Sequence, residues 1–342
     1  MHVKQYVKTK ARRLEGYLCS ILAAHDNINR VSFGDSLWKN VIMPALTHGS
    51  AVWLCNTKES TSVVQSIQYA IARAIMRVKG TPAIVATLGE LGWLPLTLQL
   101  DKFRIKYFHR LKYLLPESRL CKKVFREMED TFVNGQPSSW PYMEEINKIL
   151  TNVGLDNKIS SQDGQWIKSY HKLSLDNYVL CFFSEVDSKV SLSLYSMLKR
   201  SSFREEYLFT STNFDMARLK FMARTGCLGL KEDLFRWKLV PEVTCDLCRT
   251  DTENVCHLLL ICPILNEIRI RYLHELEAKL IATGENYIWE YFIGASSNSK
   301  LCWLLGDVAY DYGTTNGKLF DDISKRLLKE TWLTRKSLVD GS

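Results

Sequence analysis

The sequence predicts a mainly α fold with a small metal-binding helical module in its last third. Apolar residues recur every three or four positions in several segments, which is the spacing of one helix face. Gly80 and Pro82 follow one of these segments and are typical signals for the end of a helix. The composition, 46% hydrophobic and 24% charged over 342 residues, is that of a packed globular protein long enough for two or more domains.

The first thirty residues are predicted to form a basic amphipathic helix. Leu14, Leu18 and Leu22 share helical spacing. They follow a group of cations: Lys4, Lys8, Lys10, Arg12 and Arg13. Such a run suits nucleic-acid phosphate, a nuclear-import signal or a solvated face, and all three uses stay open.

The segment 36–53 is predicted to be a buried helix that enters a tight turn, with His48 as a turn or core residue. A capping box at Ser62 and Gln65 then opens another helix. Arg73 and Arg77 lie one turn apart on it, away from most of its apolar stripe. These two cations are candidates for contact with nucleic acid.

A helix from about Leu96 to Leu115 carries the densest basic stripe of the sequence. Lys102, Lys106 and Arg110 recur at every fourth position, with Asp101 as the only nearby counter-charge. The stripe is the leading candidate for a surface that follows nucleic-acid phosphates, and plain solvation explains it equally well.

The middle of the chain is less regular. Residues 116–164 have a weak, turn-like pattern and predict a linker or a loop between domains. Residues 165–200 show no single period and fit short helices or strands.

A helix ending near Thr225 is expected before the metal-binding segment. It carries Arg218 and Arg224, which either hold a nucleic-acid backbone or balance nearby acidic residues. Helices are expected again after Pro263 and from Ile323 to Leu333.

Soft metal ligands gather at one place, in the pattern C-x2-C-x8-H-x4-C formed by Cys245, Cys248, His257 and Cys262. Four ligands of this type saturate one tetrahedral zinc ion, which makes the site structural because no position is left for water or substrate. The alternative is a set of small buried cysteines. The close Cys pair and the polar segment after it favour zinc. Cys256 is left out because on a helix it points about 100° away from His257.

Charge and cysteine usage predict the compartment and the partners. A net charge of +8 favours an anionic partner, or reflects a solvated basic surface. Six of the ten cysteines are scattered singly in apolar segments, which is typical of a reduced intracellular protein, nuclear or cytoplasmic. The sequence has no signal peptide and no apolar run of membrane-spanning length, so no membrane partner is expected. A small-molecule substrate is not expected either.

The segment CDLCRTDTENVCHLLLICP resembles the zinc-binding segment at the carboxyl-terminal end of reverse transcriptases encoded by non-LTR (LINE-type) retrotransposons. The matching positions are Cys245, Cys248, Thr252, Glu253, His257, Cys262 and Pro263. The lead-in ARLKFMARTGCLGL is similar to the helix and turn before that module. The earlier segment LWKNVIMPALTHGSAVW resembles the region just after the polymerase palm, with His48 at a position that is usually aromatic.

The resemblance implies a thumb-like helical region in residues 1–115, a linker and connector in 116–205, a zinc-binding domain in 206–285 and a helical tail in 286–342. It further implies a catalytically incomplete remnant that binds RNA or DNA, and the missing polymerase portion as a further partner. The palm Asp pair that would bind catalytic metals is absent; Phe320-Asp321-Asp322 is interpreted as an acidic pair at a helix N-terminus. The alternative is a zinc-ordered structural or protein-interaction module without nucleic-acid function.

Overall fold

The computed structural model describes residues 2–24, 29–52, 58–78, 82–135, 142–155, 164–210 and 213–340. Within these ranges the chain forms seventeen α-helices and, as its only β-structure, an isolated antiparallel bridge between Thr244 and Thr252. The predicted mainly α fold is confirmed. The chain divides into two compact units: unit 1 holds residues 1–26, 33–75 and 93–182, and unit 2 holds 27–32, 76–92 and 183–342.

The helices in chain order are α1 (His2–Ala24), α2 (Arg30–Leu37), α3 (Met43–Thr47), α4 (Lys58–Met76), α5 (Ile84–Leu91), α6 (Leu96–His109), α7 (Leu120–Val133), α8 (Tyr142–Thr151), α9 (Gln165–Asp187), α10 (Ser193–Leu198), α11 (Glu206–Phe209), α12 (Phe214–Arg224), α13 (Lys231–Arg236), α14 (Asn266–Ala282), α15 (Asn286–Gly294), α16 (Ser297–Leu304) and α17 (Thr314–Asp340). Wider π-helical turns occupy Trp38–Ile42, Arg110–Leu114 and His257–Ile261. Short 3-10 turns occupy Ser50–Val52, Val190–Leu192, Pro263–Leu265 and Val308–Tyr312.

In unit 1, α6 is the helix on which the aromatic core is built. The ring of Phe108 packs edge-on against Phe125 of α7 and Trp166 of α9, with centroid distances of 5.7 and 6.4 Å. Ile105 and Leu111 extend the same buried face. Ile105, Phe108 and Leu111 therefore mark the core side of this segment, and Lys106 and Arg110 are exposed on its other side.

The segment predicted as a buried helix and turn also lies in unit 1. Trp38 stacks on Trp93 with ring centroids 4.8 Å apart, and the Trp93 indole N–H donates to Asp35 at 2.7 Å. Gly34 lets α4 approach closely, because a Cβ there would lie 2.6 Å from Ile75. Trp53, at the end of the predicted segment, lies outside the described residues.

In unit 2, the long helix α17 packs against α12, α14 and α16. Phe320, Ile323 and Leu327 of α17 are buried with Leu276 of α14 and Phe292 of α15. The expected helix after Pro263 is present, and the expected last helix is longer than Ile323–Leu333 at both ends.

One sequence interpretation is wrong and another is only partly right. The linker or loop predicted for residues 116–164 contains α7 and α8, whose buried residues belong to the unit 1 core. Residues 165–200, for which short helices or strands are predicted, contain the short helix α10 but also the 23-residue helix α9. Leu173, Leu175 and Leu180 are exposed on α9, so its apolar residues do not form one stripe and its period is obscured.

Candidate metal centre and basic surface

A short turn in unit 2 positions the first two cysteines of the array. The bridge between Thr244 and Thr252 closes this turn. The Cys245 N–H donates to the Asp251 carbonyl and the Glu253 N–H donates to the Val243 carbonyl, each at 2.8 Å. These two hydrogen bonds fix the backbone on both sides of the Cys pair.

A π-helical turn positions the other two ligands. His257 begins it, its N–H donating to the Asn254 side chain at 2.9 Å. Cys262 follows it, with its N–H donating to the His257 carbonyl at 2.8 Å. Because this wider turn spans five residues, it returns the chain to the side from which His257 projects.

Together the two turns bring the Cys245, Cys248 and Cys262 sulfurs and one His257 ring nitrogen within 4.8 Å of one another. The Cys248 Sγ and His257 Nε2 atoms are 3.3 Å apart. Ligand atoms around a tetrahedral ion lie roughly 3.5–3.8 Å apart, as follows from the usual Zn–S and Zn–N bond lengths. The four residues therefore form a group that could hold one metal ion, and Cys256 is not part of it, as predicted.

The thiols differ in how readily they ionise. Burial opposes ionisation of Cys248, but hydrogen bonds from the Thr250 hydroxyl and from the Thr250 and Asp251 N–H groups outweigh it and lower the pKa of Cys248 to about 6. Burial raises the pKa of Cys245 to about 12 and also raises the pKa of Cys262. A bound cation supplies the positive charge that such buried thiolates require.

Residues around the ligands also fit a metal. The His257 Nδ1 atom has no hydrogen-bond partner among the described residues and lies 4.0 Å from Asp251 Oδ2. A histidine that ligates through Nε2 commonly presents its other ring nitrogen to a carboxylate in this way. From α14, Arg269 donates to the Cys262 carbonyl at 2.9 Å and to the Leu259 carbonyl at 2.8 Å, which anchors the second turn.

The sequence analysis places Glu253 in the zinc-binding motif but predicts no contact for its side chain. It is buried, with one carboxylate oxygen 3.9 Å from Cys245 Sγ. Arg335 of α17 binds both carboxylate oxygens, at 2.8 and 2.7 Å, and the Lys231 N–H donates to it at 2.9 Å. Glu253 therefore joins the metal turn to the start of α13 and to the last helix.

The predicted basic stripe of α6 lies on the surface of unit 1. Lys106 and Arg110 are exposed and Lys102 is half-buried, and within the described ranges none of them forms a salt bridge. Asp101, the expected counter-charge, pairs with the buried Arg104 at 3.1 Å.

The ring of His171, from α9, lies beside this surface. Burial lowers the pKa of His171, and the nearby charges of Lys102 and Lys106 lower it further, so His171 adds no positive charge at neutral pH. We name Lys102, Lys106 and Arg110 the α6 basic surface.

Three other predicted nucleic-acid residues are placed differently. Arg73 of α4 lies over the Tyr69 ring with its guanidinium carbon 5.5 Å from the centroid. In unit 2, Arg218 donates to the Arg77 carbonyl at 3.1 Å. Arg77 is exposed with a φ of 51°, directly after the end of α4. Arg77 and Arg218 thus form a small pair rather than part of a stripe.

Arg224 corrects the sequence prediction. Its side chain is 0% exposed and pairs with Glu90 at 2.9 Å and Glu205 at 3.2 Å, so it cannot reach a nucleic-acid phosphate in this fold. Lys199 also pairs with Glu205, and the Tyr207 hydroxyl donates to Glu90. The result is a buried ionic network in unit 2.

Asp321 is a second correction, because it is not at a helix N-terminus. It lies two turns inside α17, buried between Lys220, at 2.8 Å, and Lys325. Burial opposes its ionisation, but the two lysines outweigh burial and lower the pKa of Asp321. Its neighbour Asp322 is exposed and pairs with Arg326 at 2.9 Å. The two carboxylates therefore serve separate ion pairs.

Comparison of the chain with protein-family models, with curated proteins and with solved structures finds no match in any of the three. Among the described helices, none combines the length and the hydrophobicity that crossing a membrane requires.

Proposed function

We propose that Cys245, Cys248, His257 and Cys262 hold one structural zinc ion. This ion orders the turn of unit 2 that carries the first two cysteines. The observation behind this is the convergence of three sulfurs and one imidazole nitrogen within 4.8 Å. Three thiolates and an imidazole are a ligand set that zinc takes in closed, tetrahedral sites. Such a site stabilises the fold and performs no chemistry of its own.

Metal content tests this proposal, with the neighbouring thiol as a matched control. Protein purified from zinc-supplemented cells is expected to contain one zinc per chain by elemental analysis. Cys248→Ser removes a ligand and is expected to lose the zinc and lower the unfolding temperature, whereas Cys256→Ser, outside the cluster, keeps both. Equal zinc content in the two variants contradicts the proposal.

We further propose that the protein binds RNA or DNA through backbone contacts of the α6 basic surface. Lys102, Lys106 and Arg110 point away from the unit 1 core and have no carboxylate partner among the described residues. Cations of this kind attract phosphates regardless of base sequence, and binding releases counterions. The net charge of +8 acts in the same direction.

A salt titration of RNA and DNA binding tests this second proposal. Three phosphate contacts predict that log K falls with log salt at a slope of about −2 to −3.

Charge reversal at Lys102, Lys106 and Arg110 is expected to abolish binding while the far-ultraviolet circular dichroism spectrum, which reports helix content, stays unchanged. Reversal at Lys123, Lys148 and Lys336, which are exposed elsewhere, changes the net charge equally and is expected to preserve most of the binding. Affinity that does not change with salt contradicts the proposal.

The ancestry we propose is the carboxyl-terminal, post-palm region of a LINE-type reverse transcriptase. A helix, a turn at Thr225 and Gly226, and a Cys3His array follow one another here in the order of the resemblance described above. The proposal assigns no catalysis to this chain and includes the polymerase portion as a partner. The genomic sequence upstream of the Met1 codon tests this ancestry. An in-frame polymerase palm encoded there would support it. Metal-dependent nucleotide incorporation by the purified chain would overturn the non-catalytic assignment.

A second candidate function is a zinc-ordered protein-interaction or structural module. Phe235, Trp237 and Leu239, just before the metal turn, are 48%, 37% and 68% exposed. Such apolar side chains on the surface are typical of a site that another protein covers. Charge reversal at Lys102, Lys106 and Arg110 separates the two candidates. A protein-interaction or structural module predicts that this variant keeps the folding and function of the unmodified protein, whereas nucleic-acid binding predicts that it loses affinity for RNA and DNA.

A further inference from the structure

Unit 1 contains an open pocket of about 490 Å³ beside the α6 basic surface. One side is formed by Phe103, Lys106 and Tyr107 of α6 with Arg110 of the π-helical turn that follows, and the other by residues 43–51. Residues Ser50–Val52 pack directly on α6. The volume lies within the range of sites that bind small molecules or single nucleotides.

The chemistry of the pocket is two-sided. Lys106 and Arg110 are exposed cations one helical turn apart, so both face the same region. Phe103 and Tyr107, also one turn apart, provide aromatic surface next to them. A ligand that suits both sides has an anionic group and a flat, weakly polar ring. These are the two parts of a nucleotide.

The opposite wall adds polar groups that no other part of the described structure uses. Ser50 is 1% exposed, and its Oγ has no hydrogen-bond partner among the described residues. A buried hydroxyl without a partner is unfavourable, so Ser50 has an unused capacity for a hydrogen bond at this wall. His48 is exposed at the same wall, so it is accessible from solvent.

We propose that this pocket takes one nucleotide of a single strand, with its base against Phe103 and Tyr107 and its phosphate on Lys106 and Arg110. The inference rests on the proposed nucleic-acid binding and deepens it by naming the form of nucleic acid. A base held in a duplex is stacked and paired and cannot enter the pocket. A base in a single strand is free to stack on an aromatic side chain. Single strands are therefore bound more tightly than duplexes of the same sequence.

The test compares a labelled single strand of about 12 nucleotides with its duplex by fluorescence anisotropy on the full chain. The single strand is expected to bind at least about 5-fold more tightly than the duplex. This factor is the affinity that stacking of one base on an aromatic side chain contributes. Equal or tighter binding of the duplex overturns the pocket proposal while leaving backbone-directed binding in place. Absence of binding to either form contradicts the underlying function instead.

Variants at an exposed position locate the site without endangering the fold. His48→Glu places a carboxylate beside Lys106 and Arg110, so single-strand affinity is expected to fall about 10-fold or more. His48→Gln keeps the size without the charge and is expected to bind nearly as well as the unmodified protein. Lys123→Glu, which changes the net charge by twice as much at an exposed position of α7, is the control and is expected to change the affinity about 2-fold or less. Equal effects of His48→Glu and Lys123→Glu overturn the proposal.

Photo-crosslinking supplies a readout that does not depend on affinity. A single strand carrying 5-iodouridine is expected to crosslink to peptides that contain residues 43–51 or 103–110. Tyr107→Leu keeps the wall apolar but removes its ring, and is expected to reduce crosslinking to the second peptide. Crosslinks that map only to other segments overturn the assignment of the pocket.

Discussion

Two pairs of cations, Lys106 and Arg110 in unit 1 and Lys220 and Arg224 in unit 2, are placed in opposite ways. On the α6 basic surface, Lys106 and Arg110 lie in solvent without carboxylate partners among the described residues. On α12, Lys220 and Arg224 are buried and paired with Asp321 and Glu90. The two pairs look alike in sequence because each has Lys and Arg at helical spacing.

The difference arises from carboxylates that are distant in sequence. Glu90 is 134 residues away from Arg224, and Asp321 is 101 residues away from Lys220. A cation near no acidic residue in sequence can therefore still be neutralised by the fold. Whether a basic stripe is available to a nucleic acid depends on its tertiary partners, which the local sequence does not contain.

Arg224→Ala is expected to give the largest effect, because it leaves Glu90 and Glu205 buried without their shared partner. Breaking a buried ion pair from one side costs about 3–5 kcal/mol of unfolding free energy. Chemical denaturation measures this cost. Arg110→Ala, which removes an exposed arginine from the α6 basic surface, is the control and is expected to stay within about 0.5 kcal/mol. Similar losses for the two variants would contradict the comparison.

Asp307, which lies near the buried ionic network of unit 2, makes the stability of the folded protein sensitive to pH. Burial, followed by the Glu205 and Glu90 charges, raises the pKa of Asp307 from 3.8 to about 6, against the opposing effect of Arg224 and Lys220. The folded state therefore holds an extra proton between these two pH values. The stability that this proton on Asp307 contributes is complete below pH 3.8 and is lost as the pH rises through about 6.

Asp307→Asn is expected to remove this dependence. Relative to the unmodified protein, the variant gains up to about 3 kcal/mol of unfolding free energy as the pH is raised from about 4 to 7.5. Denaturation curves of both proteins across that range measure the difference. A difference that stays constant with pH contradicts the assignment to Asp307.

Lys220→Met is expected to cost less than the loss of Arg224. The Lys220 ammonium donates to Asp321 at 2.8 Å and to the Leu304 carbonyl at 3.1 Å, but Asp321 keeps its second partner, Lys325. We expect a loss of about 2 kcal/mol, the contribution of hydrogen bonds to a charged group. Double substitution with Lys325→Met is expected to exceed the sum of the single losses, since Asp321 then has neither lysine.

Lys106→Ala is expected to have the smallest effect on stability and a clear effect on binding. Its ammonium is exposed, so the unfolding free energy changes by less than about 0.5 kcal/mol. The salt dependence of single-strand binding is expected to lose about 0.7 from its slope, the value of one phosphate contact. An unchanged slope would remove Lys106 from the binding surface.

The parts of the fold that could be predicted are those with a strong local signal. The apolar period located α4, α6 and α12, and the ligand spacing identified Cys245 and Cys248 as part of a cluster. The sequence does not predict α9 as one helix, because Leu175 and Leu180 face solvent and break the period. These signals depend on neighbours within about one helical turn, and such neighbours are visible in sequence.

The missed parts depend on long-range partners. Nothing near Glu253 indicates that Arg335, 82 residues later, binds its carboxylate. Nothing near Arg224 indicates its burial beside Glu90. The same limit explains why the sequence predicts a helix N-terminal pair at Asp321 and Asp322, although α17 begins at Thr314.

The contact between Glu253 and Arg335 couples the metal turn to the end of the chain. Glu253 lies beside Cys245 Sγ and is held by α17, so ordering of the turn and docking of that helix favour each other. Such coupling is reciprocal: whatever factor ligation adds to the docking of α17, docking of α17 adds to the affinity for the ion. Amide hydrogen exchange in the last turns of α17 thus becomes a remote gauge of whether the four ligands are occupied.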